Sequence, residues 1–213
     1  MGGAPASTRV LETALTYAPR LVAVDSGADA ILRAGLWPER VVGDMDSISE
    51  AARAAFADRL EPIAEQDSTD FAKALRTGSA DFTLGVGFVG ARADHFLACL
   101  SEMGRRREPI LLLSDAEAIC VAPDRMALAP APGTRLSLWP MGAGRGRSEG
   151  LRWPLDGIAF DPAGRVGTSN QVTGPVRLAL EGGPWVLTVP LDALAVLLEA
   201  LEIAPRRAAP PPL

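Results

Sequence analysis

The chain has 213 residues, of which 48% are hydrophobic and 22% are charged, and its formal net charge is −5. This length and composition allow a sizeable core, in one large domain or two small ones, and exclude a disordered chain. The acidic balance argues against a nucleic-acid or membrane-surface binder, which usually presents a basic face. Two cysteines, no long apolar run and no signal peptide predict a protein of the reducing cytoplasm that does not span a membrane.

Short apolar runs alternate with helical patterns in the first half of the chain. The predicted order is strand 21–24, helix 28–34, strand 41–42, helix 49–56, strand 62–64, helix 69–75, strand 82–88, helix 94–103 and strand 110–113. This rhythm is typical of a parallel sheet covered by helices. We therefore predict an N-terminal α/β nucleotide domain over residues 1–123.

The rhythm changes near Pro123, where β-rich runs separated by Pro and Gly turns begin. They predict strands at 126–129, 134–139, 157–160, 176–180 and 185–189, with a hairpin turn at 181–184. A helix at 191–201 and a Pro-rich tail at 208–213 follow. Residues 124–213 are therefore predicted to form a small antiparallel β-sandwich domain with a C-terminal helix and tail.

Two carboxylates follow the predicted strand at 41–42, in the pentapeptide Gly43-Asp44-Met45-Asp46-Ser47. In open α/β sheets the ligand crevice lies at the carboxyl ends of the strands. Residues two apart in an extended segment point the same way, so Asp44 and Asp46 can share one target. A turn followed by a helix cap explains this pentapeptide equally well.

A second acidic cluster lies at residues 66–73, where a helix starting near Ser68 would place Asp70 and Lys73 on one face. By itself this segment could also be a capped helix start with an ion pair. Together the two clusters would repel each other unless they held a hard divalent cation, and Mg²⁺ prefers carboxylate oxygens. We therefore predict a magnesium–polyphosphate site built from Asp44, Asp46, Asp67 and Asp70. No Gly-Lys-Ser/Thr phosphate loop is present.

Two further segments could reach the same crevice. Asp25 ends the first predicted strand, and residues 90–95 follow the strand at 82–88. Arg92 would suit a phosphate, whereas Asp94 suits an amino-bearing group or a helix cap. His95 is the only histidine, and a structural role is the simpler interpretation for it.

Six ordered segments resemble the thiamine pyrophosphokinase family. They are Asp25-Ser26-Gly27-Ala28, Gly43-Asp44-Met45-Asp46-Ser47, Gln66-Asp67-Ser68-Thr69-Asp70-Phe71-Ala72-Lys73, Gly90-Ala91-Arg92-Ala93-Asp94-His95, Gly150-Leu151-Arg152-Trp153-Pro154-Leu155 and Thr168-Ser169-Asn170. The resemblance implies an α/β nucleotide domain, a β-sandwich, and a homodimer with active sites at the subunit interface. The implied reaction transfers the terminal diphosphate of ATP to the hydroxyethyl oxygen of thiamine, which gives thiamine diphosphate and AMP.

The resemblance also implies a role for each matching residue. Mg²⁺ and the polyphosphate of ATP would be handled by Asp25, Asp44, Asp46 and Asp70, and the catalytic set would be completed by Asp67 and Lys73. Substrate contacts would come from Gln66, Thr69, Arg92, Asp94, Trp153, Ser169 and Asn170. An indole face attracts a flat cation such as the thiazolium of thiamine, although Trp153 could instead belong to the sandwich core.

The chain departs from the family pattern at its start, where Gly2-Gly3 stands without a preceding strand. Family members often have Gly where Ser26 and Ala91 stand, and the C-terminal helix and tail resemble an extension. Two other functions remain open: a related pyrophosphokinase acting on a pterin alcohol, and a non-catalytic thiamine- or nucleotide-binding protein.

Overall fold

The computed structural model describes residues 1–203, and the predicted tail lies outside these residues. The helices are α1 (Thr8–Tyr17), α2 (Gly27–Arg33), α3 (Glu50–Ala55), α4 (Asp70–Thr77), α5 (Ala93–Met103) and α6 (Leu194–Ala200). The strands are β1 (Val22–Val24), β2 (Arg40–Gly43), β3 (Leu60–Pro62), β4 (Thr83–Val86), β5 (Ile110–Leu113), β6 (Glu117–Ala122), β7 (Arg125–Leu128), β8 (Arg135–Pro140), β9 (Gly144–Leu151), β10 (Ala159–Phe160), β11 (Gly167–Gly182) and β12 (Trp185–Pro190). Within residues 1–203 no helix is long and apolar enough to cross a membrane.

The chain forms two compact units that differ from the predicted division after residue 123. The first contains residues 1–102 and 112–115, and the second contains residues 103–111 and, within the described part, 116–203. The second unit begins before residue 123 because β6 pairs antiparallel with β12 along its whole length. The assignment of ATP binding to residues 1–123 and thiamine binding to 124–213 stays a prediction.

The first unit contains the predicted parallel sheet. Strands β1, β2 and β3 pair in parallel in that order, with Ala23 opposite Val41 and Val41 opposite Leu60. Ala23, Ile31, Val41, Ala52 and Phe56 are fully buried in the cluster beneath this sheet. The apolar positions of α2 and α3 therefore cover the sheet, as the alternating pattern predicts.

The N-terminal residues are hydrogen-bonded to two strands through their backbone. The Gly2 N–H donates to the Val86 carbonyl at 2.8 Å, and the Val24 N–H donates to the Met1 carbonyl at 2.9 Å. Met1 and Gly2 therefore bridge β1 and β4 by backbone hydrogen bonds. A Cβ at Gly27 would lie 1.9 Å from the Met1 carbonyl oxygen, so only glycine fits at the start of α2.

The sequence did not reveal α1, which begins after Ser7 and buries Val10, Leu11 and Ala14. The Ser7 side chain accepts a hydrogen bond from the Val10 N–H, so an ordinary N-cap starts the helix. The apolar spacing of those three buried residues is the signal that could have identified it.

Antiparallel strands dominate the second unit. The strand order is β10-β9-β11-β8-β12-β6, and β7 also pairs with β11. β11 pairs with β8 near residues 167–171 and with β9 and β7 further along, so one long strand serves two antiparallel groups. The strands β6 and β9 were not predicted.

The predicted hairpin at residues 181–184 is wrong. A turn does separate β11 from β12, but β8 lies between these two strands in the sheet. The Gly-Gly-Pro sequence signals a chain reversal locally, whereas the pairing of the flanking strands depends on the distant β8. The predicted C-terminal helix is confirmed as a 3₁₀ turn at Leu191–Ala193 followed by α6.

Candidate active site

Asp25 lies at the carboxyl end of β1 in a left-handed conformation, with φ of 46°. Its N–H donates to the Val42 carbonyl at 2.9 Å, and its own carbonyl accepts from the Ala28 N–H at 2.9 Å. This conformation is strained for a residue other than glycine, and such strain concentrates at functional sites. The backbone therefore holds the Asp25 carboxylate at the sheet edge against a conformational cost.

The Asp44–Asp46 loop follows β2 and is also strained. Met45 has φ of 68°, and its side chain is 5% exposed in the core cluster beneath the sheet. A Cβ at Gly43 would lie 3.1 Å from the Asp25 Cβ, so glycine lets β2 approach Asp25 closely. Burial of Met45 therefore fixes the loop while its neighbours Asp44 and Asp46 face the crevice.

These segments bring together Asp25, Asp44 and Asp46, each of which offers an oxygen within 4.8 Å of the other two. Among residues 1–203 nothing hydrogen-bonds to the buried Oδ1 of Asp25. Burial raises the pKa of Asp25 above its usual value; the Ser26 N–H opposes this, and the Asp70 and Asp46 carboxylates raise the pKa further. Crowded carboxylates with an unpartnered buried oxygen are a donor set that fits a hard divalent cation.

Asp44 is held in its ionised form by hydrogen bonds. The Asp46 N–H and the Gln66 side chain donate to it and lower its pKa, the Asp46 contribution being the larger. The Gln66 Nε2 lies 3.3 Å from the Asp44 Oδ2, so the second acidic segment reaches the first. The two acidic segments therefore contact each other, and the shared binding of one metal by both stays a prediction.

The α4 helix carries the other charged pair. Thr69 caps the helix, and its hydroxyl accepts from the Ala72 N–H at 3.2 Å. Lys73 is 2% exposed, and its Nζ lies 2.9 Å from the Asp70 Oδ1. Asp70 is close enough to raise the pKa of Asp25, but one of its oxygens is already engaged by Lys73.

The loop between β3 and α4 is tied to α4 by Arg76. Its Nη2 donates to Glu65 at 2.5 Å and its Nη1 donates to Ser68 at 3.0 Å, while the Ser68 hydroxyl donates to Glu65 at 2.6 Å. Gln66 and Asp67 lie in the chain between two members of this hydrogen-bonded group, Glu65 and Ser68, and both are exposed. Asp67 lies outside the cluster of three carboxylates, so a direct metal contact by Asp67 stays a prediction.

Arg92 and Asp94 lie near the start of α5 and pair with each other. The Arg92 Nη2 donates to the Asp94 Oδ2 at 2.6 Å, and both side chains are 65% exposed. This hydrogen bond lowers the pKa of Asp94 to about 2. Their contacts with substrate stay predictions, and His95 is exposed beside them.

In the second unit, Trp153 follows β9 and its side chain is 54% exposed. The interpretation of Trp153 as sandwich core is therefore wrong, because the chain turns this indole outwards two residues after the buried Leu151. The Arg152 guanidinium lies 5.0 Å from the centre of its ring. Ser169 is exposed with φ of 60°, whereas Asn170 is only 5% exposed.

Sequence reasoning missed a residue that supports the acidic loop. Arg53 on α3 donates from Nη2 to the Met45 carbonyl at 2.5 Å and so holds the strained peptide between Asp44 and Asp46. An arginine three to four residues into a helix carries no pattern that marks this contact. The positive φ of Met45 was equally hidden, because methionine does not signal a left-handed turn.

Comparison with known proteins relates this geometry to one family. Residues 11–111 match the family model described as "Thiamin pyrophosphokinase, catalytic domain". Thiamine pyrophosphokinase from Bacillus subtilis is 36% identical over 83 residues, which cover 36% of this chain and 39% of that protein. The alignment therefore spans well under two thirds of that relative.

Solved structures extend the likeness in fold to most of the chain. The crystal structure of thiamine pyrophosphokinase from Bacillus subtilis has a TM-score of 0.74 at 22% identity, covering 90% of this chain and 98% of that one. The enzyme from Candida albicans has a TM-score of 0.76 at 16% identity, covering 88% and 86%. With the match over residues 11–111, these likenesses confirm the resemblance of this chain to the thiamine pyrophosphokinase family.

Proposed function

We propose that this protein is a thiamine pyrophosphokinase, which transfers the diphosphate of ATP to thiamine and releases AMP. The observation that carries the proposal is the convergence of Asp25, Asp44 and Asp46 around a buried, unpartnered carboxylate oxygen. These three residues lie within the segment that matches the catalytic domain of the family. In the reaction the thiamine hydroxyl oxygen bonds to the β-phosphorus of ATP, the bond from that phosphorus to the α-phosphate oxygen breaks, and the hydroxyl proton is released.

Asp25, Asp44 and Asp46 would hold Mg²⁺, and Asp70 would lie beside it. The bound cation would neutralise polyphosphate charge and orient the β-phosphate for attack. Lys73 forms a 2.9 Å ion pair with Asp70 and would add positive charge to the crevice. Gln66 orients Asp44 through its side-chain amide. Arg92 would bind phosphate, and Asp94 and Thr69 would complete the substrate contacts.

The second unit would supply the acceptor site. Its antiparallel strands would form the predicted sandwich, and the exposed Trp153 would contact the flat thiazolium cation of thiamine. Ser169 lies next to that segment and would contribute its hydroxyl. We further propose that the protein is a homodimer whose active sites lie at the subunit interface, as the family resemblance implies.

A reducing cytoplasm is the compartment we propose for the enzyme. Cys99 and Cys120 are both free and buried, and burial raises the pKa of each thiol to about 12. Thiols held in this state act as small apolar side chains rather than as redox groups.

The proposal is tested by measuring AMP formed from ATP with and without thiamine, at several Mg²⁺ concentrations. We expect AMP only when thiamine and Mg²⁺ are both present, and we expect Asp25→Asn to abolish it. Asp58→Asn is the matched control, because Asp58 is a highly exposed carboxylate of the same unit. AMP that never rises above the thiamine-free control would contradict the proposal.

The same assay separates the two alternatives. A pterin alcohol replaces thiamine in a parallel reaction, and AMP formed only with the pterin would identify the related pyrophosphokinase. Thiamine binding detected by calorimetry without turnover would identify a non-catalytic binding protein.

A further inference from the structure

We propose that Asn170 is a positioning residue that presents the indole of Trp153 to thiamine. The inference rests on the proposed function, because it assigns Trp153 to the acceptor site. It changes the role of Asn170 from a predicted substrate contact to a support for the residue that makes the contact. Its basis is a set of hydrogen bonds between β11 and the segment that follows β9.

The Asn170 amide binds both backbone groups of Trp153. The Trp153 N–H donates to the Asn170 Oδ1 at 3.1 Å, and the Asn170 Nδ2 donates to the Trp153 carbonyl at 2.7 Å. The Gln171 N–H also donates to the same Oδ1, at 2.8 Å. Both acceptor positions of the amide oxygen are therefore filled, and the side chain is 5% exposed.

A β-bulge in β11 places Asn170 in this position. The register between β11 and β8 shifts between Gly167 and Asn170, and Ser169 within the shift has φ of 60°. The Ser169 N–H donates to the Ser137 hydroxyl at 2.9 Å, which holds the bulge on β8. Bulges re-aim side chains, and this one turns Asn170 inwards while Ser169 stays exposed.

Trp153 needs such a support because its own side chain is 54% exposed and cannot be held by core packing. The Arg152 guanidinium covers one ring face, and its Nη1 donates to the Gln171 side chain at 3.2 Å. The exposed part of the ring is the surface that a flat cation would contact. Fixing the backbone before binding reduces the entropy lost when the ligand orders an exposed aromatic side chain.

The decisive experiment is a double-mutant cycle on the steady-state constants for thiamine and ATP, with Asn170→Ala, Trp153→Ala and both together. If Asn170 acts through Trp153, Asn170→Ala raises the KM for thiamine about tenfold and leaves the KM for ATP within about twofold. The double variant then has the thiamine KM of Trp153→Ala alone, within about twofold, because no indole remains to be positioned. Fold changes that multiply in the double variant would instead show that Asn170 contacts thiamine independently and would overturn the proposal.

Two further variants guard against a general folding defect. Asn170→Asp keeps the acceptor oxygen but loses the donor to the Trp153 carbonyl, so we expect an intermediate thiamine KM. Glu149→Gln is the matched control, since it removes the surface contact with Arg177 between the same two strands. An unchanged thiamine KM in Asn170→Asp, or a rise in Glu149→Gln equal to that in Asn170→Asp, would count against the proposal.

A measurement on the protein without substrates keeps this proposal separate from the proposed function. The fluorescence of Trp153 is obtained in each protein by subtracting the spectrum of the same protein carrying Trp153→Phe. The anisotropy and acrylamide quenching of this signal are then compared between the parent protein and Asn170→Asp. We expect lower anisotropy and stronger quenching in the variant. Identical values would refute the positioning role of Asn170 even if the enzyme is active, whereas absent thiamine-dependent AMP would refute only the proposed function.

Discussion

Among residues 1–203 the structure buries two charged or amide side chains, and one lies in each unit: Lys73 in the first and Asn170 in the second. Lys73 has an ion pair with Asp70 and lies in a region where Asp25 keeps a buried oxygen without a partner. Asn170 has a filled acceptor oxygen and leaves the backbone of Trp153 satisfied. The acidic crevice is therefore incomplete without a ligand, whereas the Trp153 segment is complete before a ligand arrives.

This difference teaches that two ligand-binding regions can be prepared for their ligands in opposite ways. Carboxylates that repel one another destabilise the free protein, and a cation that binds them recovers that free energy. An aromatic surface gains affinity instead by being rigid beforehand. Two questions follow: whether the stability of the crevice depends on its ligand, and whether a residue outside the strained loop holds that loop in place.

The largest effect should come from removing a carboxylate of the crevice. We expect Asp44→Asn to lower kcat/KM by at least about 10³-fold, because charge stabilisation by a correctly held cation is the main catalytic contribution in phosphoryl transfer. The measurement is AMP formation at saturating Mg²⁺. Activity above about a tenth of the parent level, with Asp58→Asn unchanged, would contradict the assigned role of Asp44.

Loss of the support beneath the strained loop should have a moderate effect. Arg53→Met removes the donor to the Met45 carbonyl, so we expect the apparent affinity for Mg²⁺ to fall about tenfold while the KM for thiamine stays unchanged. Arg53→Lys should recover part of the affinity. Mn²⁺ binding followed by electron paramagnetic resonance reads the effect without activity, and Arg33→Met at the exposed end of α2 is the control. Equal Mn²⁺ affinity in Arg53→Met and Arg33→Met would show that the loop keeps its conformation without Arg53.

Removing a crowded carboxylate should also stabilise the metal-free protein. Because the pKa of Asp25 is raised in the folded state, its contribution to stability falls as pH rises from its ordinary value through the raised one, and at neutral pH the ionised group destabilises the fold. We expect Asp25→Asn to increase the free energy of unfolding by about 0.5 kcal/mol without Mg²⁺, since solvent screens the repulsion at a half-buried carboxylate. Urea denaturation measures this. The parent should gain stability when Mg²⁺ is added and the variant should not; a variant less stable than the parent would contradict stored repulsion.

The smallest effect concerns the cysteines. Burial raises the pKa of both thiols to about 12, so at pH 8 neither should react with a disulfide reagent in the native protein. Both should react in denaturant. A fast reaction in the native state would show that the core of either unit opens readily.

Much of the first unit could be predicted because its signals are local. The strand ending before Asp44 and the helix that starts near Thr69 are confirmed by position, whereas the roles of the carboxylates at these ends stay predictions. The close approach of β2 to Asp25 could not be predicted, since it depends on the absence of a side chain at Gly43. No local pattern reports that contact between two strands.

The second unit was less predictable for the same physical reason. β9 is rich in glycine and arginine and lacks the β-branched residues that mark a strand, so its pairing with β11 supplies the order. The inward turn of Asn170 depends on a bulge opposite β8, a strand more than 30 positions away along the chain. Sequence reasoning found the residues of this segment but not the direction in which they point.

The burial of Lys73 has a consequence for the chemistry of the whole surface. Lys73 is the only lysine of this sequence, and it is 2% exposed. Reagents that acylate primary amines should therefore react slowly with Lys73 in the folded protein, and the rate of that reaction would measure how often the crevice opens.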